Sequence, residues 1–423
     1  MRGTSERSVA ITGIGVRAPG AIDAQIFWEN ISSGKTATRT ITMFDATNFR
    51  SQVAGECDFD AVAEGFSASD IERLDRSTQF AISCAREAIA NSGLSLRRED
   101  SARIGVSIGS AVAAATSLEI QYERVSEGGK LWQVRTDLTS PEMFHYLSPA
   151  ALAAEVAWVV GAQGEVGLVS DGCTSGIDSI SSAADAIRRG RADVMIAGAA
   201  DTPITPIVAA SFEAIKATTS LNESPSTASR PFDLTRAGFV LAEGAAVLVL
   251  EELEHALARG AHVYALVAGD STHLNAYHMT GLQAKGLEMS WAIEEALTQA
   301  RAEPRDIDYI NAHGSATRQN DIHETGAVKR VFGAEAYKTP MSSIKSMIGH
   351  SLGAIGSIEI AACALAIDHN FIPPTANLHT PDPECDLDYV PNVGRSAEVN
   401  CVLSVGSGFG GFQSAMVLRR WEE

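Results

Sequence analysis

One thiol and two imidazoles stand at the ends of apolar, strand-like runs in this sequence. Cys173 follows the apolar run 166–169 and immediately precedes a helical pattern that begins at Thr174, so its sulfur is placed at a helix N-terminus. Unpaired N–H groups and the helix dipole at that position favour a thiolate over a thiol. The residues alone also allow a buried structural cysteine, which is the usual state of a free thiol.

His313, Lys345 and His350 accompany this thiol in the second half of the chain. His313 is followed by Gly314 and flanked by hydroxyl side chains, and Lys345 precedes His350 by five residues. Each of them alone is more often structural than catalytic. Together, one thiol, one amine and two imidazoles suit covalent acyl chemistry with proton or charge handling. The HExxH motif is absent and His313 is too far from His323 for a helical metal pair, so we expect no metal site.

A glycine-rich turn, Gly406–Gly411, follows the apolar strand pattern of Cys401–Val405. Its GxGxxG spacing fits a dinucleotide-binding loop, but such a site needs a further helix and strand, and only 12 residues remain after Gly411. A backbone that approaches another group closely, or adopts positive φ, explains these glycines instead. Ser107 fits the nucleophile-elbow pattern GxSxG, yet it lies within an alternating apolar run and is predicted as a strand residue.

Composition excludes several classes of protein. The chain has 423 residues and a formal charge of −19, with 45% hydrophobic and 20% charged residues. Such a chain buries a large core, and its acidity argues against non-specific binding to nucleic acid or to anionic membranes. No uncharged apolar stretch reaches the roughly 18 residues of a membrane-spanning helix, and no signal peptide is visible. Six scattered cysteines without a CxxC pair indicate reduced thiols, so we expect a cytoplasmic enzyme.

Short apolar runs alternate with helical patterns along the chain, which predicts the α/β class. A faint internal repeat accompanies this alternation. Gly172–Gly176 and Gly349–Gly353 each follow an apolar run and open a helix, with glycines at the same two positions. The repeat indicates a duplicated half, with the division near residues 255–262.

These residues and their order resemble the β-ketoacyl synthases of the thiolase superfamily. The resemblance covers essentially the whole chain, and it is closer still to the ketosynthase alpha subunit of bacterial type II polyketide synthases. The family likeness rests on the segments Val169–Asp178, Asn311–Asp321, Ser343–His350 and Gly406–Gly411. The closer likeness rests on Gly172–Gly176, Asn275–Thr280, Gly349–Cys363 and Pro383–Val390.

The resemblance implies a thiolase fold of five layers, αβαβα, from two pseudo-repeated halves. Residues 1–258 carry the nucleophilic cysteine, and residues 259–423 carry the two histidines and the glycine-rich turn. The implied reaction is a decarboxylative Claisen condensation, in which an acyl chain held on Cys173 is extended by malonyl-acyl carrier protein into a polyketide. No cofactor is expected, because the phosphopantetheine of the carrier protein carries the substrates.

The residue roles also follow from the resemblance. His313 and His350 are expected to promote decarboxylation and to stabilise the enolate. The amides of Cys173 and Phe409 are expected to form the oxyanion hole, and Phe409 to gate the pocket. Lys345 is expected to pair with Glu324 and order the histidine loop. The other expected contacts are substrate binding by Ser315, Thr317, Gly408 and Gly410, and structural support by Asp321.

The implied partners are the acyl carrier protein and a paralogous chain-length factor in a heterodimer. A homodimeric fatty-acid β-ketoacyl-acyl carrier protein synthase is the alternative, and a non-catalytic scaffold subunit and a cysteine hydrolase are further ones. Asp171, Ala316 and the segment 222–228 depart from the alpha-subunit pattern, so a ketosynthase of a polyene-type pathway stays open. A carrier protein is acidic, so docking predicts a basic patch, for which Arg230 and Arg236 are candidates. Neither nucleic acid nor a membrane is expected as a partner.

Overall fold

The computed structural model describes residues 7–422, in which strands and helices alternate. The strands are β1 (Val9–Arg17), β2 (Arg39–Thr40), β3 (Val53–Gly55), β4 (Ile104–Gly109), β5 (Val166–Val169), β6 (Val194–Asp201), β7 (Leu241–Ala242), β8 (Gly244–Glu252), β9 (Ala265–Leu274), β10 (Tyr309–Asn311), β11 (Met341–Ser342), β12 (Phe371–Ile372), β13 (Arg395–Ser396), β14 (Cys401–Gly408) and β15 (Phe412–Arg419). The helices are α1 (Ala24–Ser32), α2 (Ala68–Arg73), α3 (Arg76–Ser92), α4 (Ala115–Val125), α5 (Met143–Leu147), α6 (Ala151–Val160), α7 (Ser175–Arg188), α8 (Pro206–Ala214), α9 (Leu253–Ala258), α10 (Leu287–Ala300), α11 (Arg318–Phe332), α12 (Lys345–Ile348) and α13 (Ile355–His369).

The central sheet has ten strands in the order β11-β10-β14-β15-β9-β1-β8-β6-β4-β5. The strand pairings follow the same pattern on both sides of the sheet centre. On one side β1, β8 and β6 pair antiparallel, whereas β6–β4 and β4–β5 are parallel. On the other side β9, β15 and β14 pair antiparallel, whereas β14–β10 and β10–β11 are parallel. Strands β1 and β9 join the sides through the pairs Ala10–Leu266 and Ile11–Ala265. The faint repeat in the sequence therefore corresponds to a repeated order of strands.

Helices α7 and α13 form the layer between the two sides, and they cross at glycines. A Cβ on Gly176 would lie 2.3 Å from the Ser357 nitrogen, and one on Gly356 would lie 2.8 Å from the Ile177 nitrogen. The two helix backbones are therefore in direct contact, and a side chain at either glycine would push them apart. This contact sets the distance between the segments that begin the two helices.

Further helices cover the outer faces of the sheet. Helices α3 and α6 pack on the β1–β8–β6–β4 side, and α10 packs on β9 and β15 with α11 beside it. Three separate apolar clusters fill the spaces between the layers. The order helix, sheet, helix, sheet, helix confirms the predicted five-layer α/β architecture.

One helical segment in the described part of the chain has the length and composition to cross a membrane. It spans Leu352–His369, with a mean hydropathy of 1.4, and 89% of it is buried inside the protein. The segment includes α13, so its apolar residues form part of the central layer.

Candidate active site

Cys173 lies in a 3-10 turn, Gly172–Thr174, that leads directly into α7. Gly172 adopts φ +61°, a left-handed conformation that glycine reaches without steric cost. Ser175 fixes the turn, because its Oγ donates to the Gly172 carbonyl at 2.6 Å and accepts from the Asp171 N–H at 2.9 Å. The sulfur is thereby held at the start of a helix in the central layer.

The thiol of Cys173 is not a thiolate at rest. Burial raises the pKa of Cys173 to about 11 and outweighs the opposing effects of the Phe409 N–H and the Lys345 ammonium. The expectation of a thiolate stabilised by the helix N-terminus is therefore wrong, because burying the negative charge costs more free energy than these two groups contribute by stabilising it. A neighbouring base must take the proton when the sulfur reacts.

The loop that carries His313 is fixed by the carboxylate of Glu324 on α11. The N–H of His313 donates to Glu324 Oε1 at 2.6 Å, and the N–H of Gly314 donates to Oε2 at 2.8 Å. Ser343 Oγ donates to the Gly314 carbonyl at 2.8 Å. Burial raises the pKa of Glu324 to about 8, although the hydrogen bonds from the two amides lower it. Glu324 thus holds the histidine loop through its main chain.

His350 directly precedes the 3-10 turn that opens α13. Its N–H donates to the Val240 carbonyl at 2.8 Å, and its own carbonyl accepts from the Ala242 N–H at 3.0 Å, so its backbone extends the edge of β7. The Phe239 ring lies edge-on to the imidazole, with ring centroids 5.2 Å apart. Both the backbone and the ring of His350 are therefore held in place by neighbouring residues.

The imidazoles of His313 and His350 are neighbours and are both buried. Burial and the Lys345 ammonium place the pKa of both rings well below the ordinary histidine value, so the rings are neutral. Nδ1 of each ring is buried without a hydrogen-bond partner among residues 7–422. Because both rings also line the cavity at Cys173, Nε2 is the nitrogen that a substrate can reach.

Lys345 pairs with Glu359 of α13, not with Glu324. The Nζ ammonium donates to Glu359 Oε1, and both side chains are fully buried. Burial raises the pKa of Glu359 to about 7, although the ammonium opposes this. The expected Lys345–Glu324 pair is therefore wrong: Glu324 is occupied by backbone amides, while α13 brings Glu359 to the lysine.

The glycine-rich turn brings the backbone amide of Phe409 to the sulfur of Cys173. A Cβ on Gly408 would lie 3.2 Å from the Cys173 nitrogen, and one on Gly172 would lie 2.8 Å from the Phe409 carbonyl oxygen. The Phe409 N–H is directed at the Cys173 sulfur, where it lowers the thiol pKa. Gly410 is turned elsewhere, since its N–H donates to the Met279 carbonyl at 2.7 Å.

These groups surround a cavity of about 400 Å³. Ser315 and Thr317 lie in its wall, and their hydroxyl oxygens are 3.0 Å apart. Thr317 also caps α11, because its Oγ1 accepts from the Asn320 N–H. Other wall residues, from both halves of the chain, are Cys173, Phe212, Phe239, Met279, His313, His350, Leu352, Ser407, Gly408 and Phe409. Gly410 is not among the wall residues found in the described chain.

Asp321 and Arg236 form a buried ion pair below the histidine loop. Asp321 Oδ2 lies 3.1 Å from Arg236 Nε and accepts from the Phe232 N–H at 2.9 Å. Arg236 Nη1 also lies 2.7 Å from Asp382, and only 1% of the Arg236 side chain is exposed. The expectation that Arg236 belongs to a docking patch is therefore wrong, because an acidic partner cannot reach a buried, paired guanidinium.

Glu359 was missed by reasoning from the sequence, although a signal was present. It is the single charged residue in the apolar run from Ile355 to Ile367. A carboxylate in such a run must be buried with a partner, since an unpaired buried charge is too costly. The sequence could not show that Lys345 is that partner.

Family models match most of this chain. Residues 6–256 match the beta-ketoacyl synthase N-terminal domain, and residues 264–379 match the beta-ketoacyl synthase C-terminal domain. The chain belongs to the beta-ketoacyl synthase family. This confirms the resemblance inferred from the four sequence segments.

Individual relatives indicate which kind of beta-ketoacyl synthase this chain is. The chain is 62% identical over 417 residues to the granaticin polyketide beta-ketoacyl synthase 1 of Streptomyces violaceoruber, covering 99% of each chain. It is 58% identical over 419 residues to the tetracenomycin polyketide synthase ketoacyl synthase alpha subunit of Streptomyces glaucescens, covering 99% of this chain and 98% of the relative. The predicted enzyme class, a carbon–carbon bond-forming ketosynthase of the type II polyketide alpha-subunit kind, is confirmed.

Solved structures of other ketosynthases share the fold of this one. A type II polyketide synthase ketosynthase in complex with its acyl carrier protein and bound to the hexaketide has a TM-score of 0.93 and 39% identity, over 99% of this chain and 100% of that chain. The ishigamide ketosynthase/chain length factor has a TM-score of 0.90 and 30% identity, with the same coverage. The predicted thiolase fold is confirmed.

Proposed function

We propose that this ketosynthase joins an acyl chain on Cys173 to malonyl-acyl carrier protein by decarboxylative Claisen condensation and so extends a polyketide. The observation that carries the proposal is the composition of one cavity. It contains a buried thiol, two neutral imidazoles and the backbone amide of Phe409, which is directed at the sulfur. Each group matches one requirement of the reaction.

The first step loads the acyl chain. The Cys173 sulfur attacks the thioester carbonyl of acyl-carrier protein, and Nε2 of His350 accepts the thiol proton while Nδ1 holds the ring proton. Nε2 then passes the accepted proton to the leaving carrier thiolate. A neutral imidazole can accept that proton, whereas an imidazolium cannot. The N–H groups of Cys173 and Phe409 bind the oxygen that becomes negative in the tetrahedral intermediate.

The second step generates the nucleophile from malonyl-carrier protein. The bond between the carboxylate carbon and C2 breaks, carbon dioxide leaves, and the electron pair moves onto C2 and the thioester oxygen. Nε2–H of His313 and Nε2–H of His350 donate to that oxygen and stabilise the enolate. In this step the proton of each neutral ring is on Nε2, which faces the cavity, so His350 must change from the Nδ1–H to the Nε2–H tautomer after loading. Its Nδ1 has no hydrogen-bond partner in the described chain that would oppose this change.

The third step forms the carbon–carbon bond. C2 of the enolate attacks the carbonyl carbon of the Cys173 thioester, and the amides of Cys173 and Phe409 again hold the developing oxyanion. The carbon–sulfur bond then breaks, and the Cys173 thiolate that is released takes up a proton from water. The product is a β-ketoacyl chain, two carbons longer, on the carrier protein.

The remaining residues position these groups. Glu324 holds the His313 loop through two amides, and burial, together with the paired ammonium of Lys345, keeps both imidazoles neutral. Asp321 connects α11 to Phe232 and Arg236. The hydroxyls of Ser315 and Thr317 and the backbone at Gly408 line the cavity and would bind pantetheine. Phe409 would act as the gate, and its ring lies beside that of Phe212 with ring centroids 6.2 Å apart.

Trapping the acyl-enzyme tests this proposal. Acyl-carrier thioester should add the mass of its acyl group to the peptide that contains Cys173, and malonyl-carrier protein should then release a chain two carbons longer. Cys173→Ala should abolish both signals. Cys57→Ala is the matched control, since it also removes a buried thiol but lies outside the cavity wall. Release of free acid faster than chain extension would contradict condensation and favour a hydrolase.

A heterodimer with a chain-length-factor paralogue completes the proposed function. Strand β5 is an open edge of the central sheet in this chain, and Val166 on it is 42% exposed, whereas the opposite edge, β11, is buried. Large apolar side chains of the preceding segment are also exposed, with Trp132 at 92% and Trp158 at 67%. An open edge with exposed aromatic groups favours pairing with a second sheet.

The oligomeric state tests this partner. Coexpression with the paralogue should give a heterodimer by light scattering, and Trp158→Asp should shift it to single chains. Val62→Asp is the matched control, because Val62 is an exposed apolar residue outside the β5 region. A homodimer formed with the paralogue present would contradict the proposal and support the fatty-acid synthase alternative.

Cations at the mouth of the cavity are the better candidates for carrier docking. Lys216 and Arg318 line the cavity, and Lys285 lies in the adjoining depression that shares Arg318. All three are exposed, although Arg318 is 3.4 Å from Glu384. An acidic carrier protein is attracted to such cations on a chain that is otherwise acidic.

Charge reversal locates this surface. Lys216→Glu and Lys285→Glu should each raise the Kd for carrier protein at least threefold, with a smaller effect at high salt. Arg97→Glu is the control, since Arg97 is exposed and lies outside both sets of wall residues. Equal effects at all three positions would show that only the net charge matters.

Two expectations about the chain as a whole accompany the proposal. We place the division between its halves at 258/259, supported by the end of α9 at Ala258 and the start of β9 at Ala265. The cytoplasm is the proposed location, because carrier-bound malonyl groups are the substrates.

A further inference from the structure

His323 precedes Glu324 on α11 but contacts a different part of the molecule. Its ring is buried, and Nδ1 lies 2.9 Å from the carbonyl oxygen of Gln283. A carbonyl oxygen only accepts, so Nδ1 carries the proton of this bond. Burial lowers the pKa of His323, and the ring is therefore neutral and in a single tautomer.

Gln283 ends a segment, Asn275–Gln283, that forms one wall of the active-site cavity. Met279, Thr280, Gly281 and Leu282 of this segment line the cavity with Cys173. The segment closes on itself, because Asn275 Nδ2 donates to the Gly281 carbonyl at 3.1 Å. Its end is anchored a second time by the Gln283 N–H, which donates to Glu288 at 2.9 Å.

The same segment is bonded to the glycine-rich turn. The N–H of Asn275 donates to the Gly411 carbonyl at 2.8 Å, and the N–H of Gly410 donates to the Met279 carbonyl at 2.7 Å. Two main-chain bonds therefore connect the wall segment with the turn that places the Phe409 amide at Cys173.

The chain that follows the segment packs closely against α11. A Cβ on Gly286, three residues beyond Gln283, would lie 2.4 Å from the His323 carbonyl oxygen and 2.3 Å from the Ala327 nitrogen. The backbone next to the segment is therefore in contact with the helix backbone at His323, whose side chain binds Gln283.

We propose that His323 is a positioning residue for the condensation. Its imidazole fixes Asn275–Gln283 on α11, and through that segment it fixes the turn Gly408–Gly411 beside Cys173. Two consecutive residues of one helix then position both parts of the site: Glu324 the histidine loop, and His323 the oxyanion turn. The effect of His323 on the rate of condensation rests on the proposed function, whereas the hydrogen bonds that connect His323, the segment and the turn do not.

Hydrogen exchange tests the connection without any substrate. His323→Leu removes the donor, while His323→Asn retains an N–H donor near the Nδ1 position. Thr325→Val is the matched control, because Thr325 is also buried on α11 but bonds to Tyr389, away from the segment. Amide exchange in residues 275–283 and 408–411 should accelerate at least tenfold in His323→Leu and less than threefold in the other two variants.

Kinetics test the positioning role. Acylation of Cys173 by acyl-carrier thioester should show a kcat about tenfold lower in His323→Leu, with KM within twofold of the wild type, and His323→Asn should restore kcat. Unchanged exchange in His323→Leu, or equal effects of all three variants, would overturn the proposal. Faster exchange with an unchanged kcat would overturn the positioning role. Loss of condensation in the wild type would instead overturn the proposed function and leave the exchange result standing.

Discussion

The ring centroids of His313 and His350 are 5.3 Å apart, and the two ring planes are nearly perpendicular at 83°. Lys345 lowers the pKa of both rings, and burial does so more strongly. The pair therefore presents two neutral imidazoles side by side in the wall of the cavity.

The pH dependence of decarboxylation follows from this neutrality. The active form of each ring is the neutral one, and its pKa in the folded protein lies below the usual 6.5, so protonation begins only at lower pH. We expect the acidic limb of the rate of malonyl-carrier decarboxylation to lie below the ordinary histidine value of 6.5. Lys345→Met with Glu359→Gln should move that limb upward, since the ammonium that lowers both pKa values is removed. An acidic limb above pH 6.5 in the wild type would contradict neutral imidazoles.

Alkylation of Cys173 should report its raised pKa. With a thiol pKa of about 11, the thiolate fraction rises about tenfold per pH unit between pH 7 and pH 10. The rate of carbamidomethylation by iodoacetamide, followed by mass spectrometry of the Cys173 peptide, should rise with the same slope. A plateau reached below pH 9 would indicate a resting thiolate.

Removing one member of the buried Lys345–Glu359 pair should lower the free energy of unfolding more than removing both. Lys345→Met leaves the Glu359 carboxyl without its partner in the central layer, and we expect a loss of about 3–5 kcal/mol in the free energy of unfolding. The double variant with Glu359→Gln should recover most of that loss, because no buried charge remains. Urea denaturation of the wild type and of both single and double variants measures the coupling. Additive losses would show that the two groups do not interact.

Gly172 combines positive φ with a close backbone contact, and the two effects can be separated. Gly172→Ala introduces both a left-handed alanine and a Cβ 2.8 Å from the Phe409 carbonyl oxygen. Gly161→Ala imposes the same conformational cost, about 1–2 kcal/mol, where no heavy atom lies within 4 Å. We expect a larger loss of stability in Gly172→Ala than in Gly161→Ala, and a fall in kcat of at least tenfold only in Gly172→Ala. Equal kcat values in the two variants would contradict a displaced oxyanion turn.

An alanine at Gly176 should reverse the usual sign of a helical substitution. Glycine to alanine inside a helix normally stabilises by up to about 1 kcal/mol. At Gly176 the new methyl group would meet the Ser357 nitrogen at 2.3 Å, so α7 and α13 must separate. We expect a loss of more than 2 kcal/mol in the free energy of unfolding, measured in urea. A stabilised variant would show that the two helices can move apart freely.

Much of this structure could be predicted from the sequence, because strands and helices depend on local pattern. The pattern placed Ser107 in a strand, and β4 contains it; it placed a helix after Cys173, and α7 begins two residues later. Burial and pairing depend on the packing of distant segments. The partner of Lys345, the burial of Arg236 and the pKa of Cys173 were therefore predicted wrongly.

The crossing at Gly176 and Gly356 has a consequence for how such an enzyme can diversify. Backbone atoms of the two helices are in contact at this crossing, so a change of rotamer does little to the separation between the segments that precede the helices and carry Cys173 and His350. A mutation that alters this separation must displace a helix and lower stability. Wall residues such as Phe212 and Leu352 can change size while the reacting atoms stay in place, so we expect the cavity wall to accept variation more readily than the crossing.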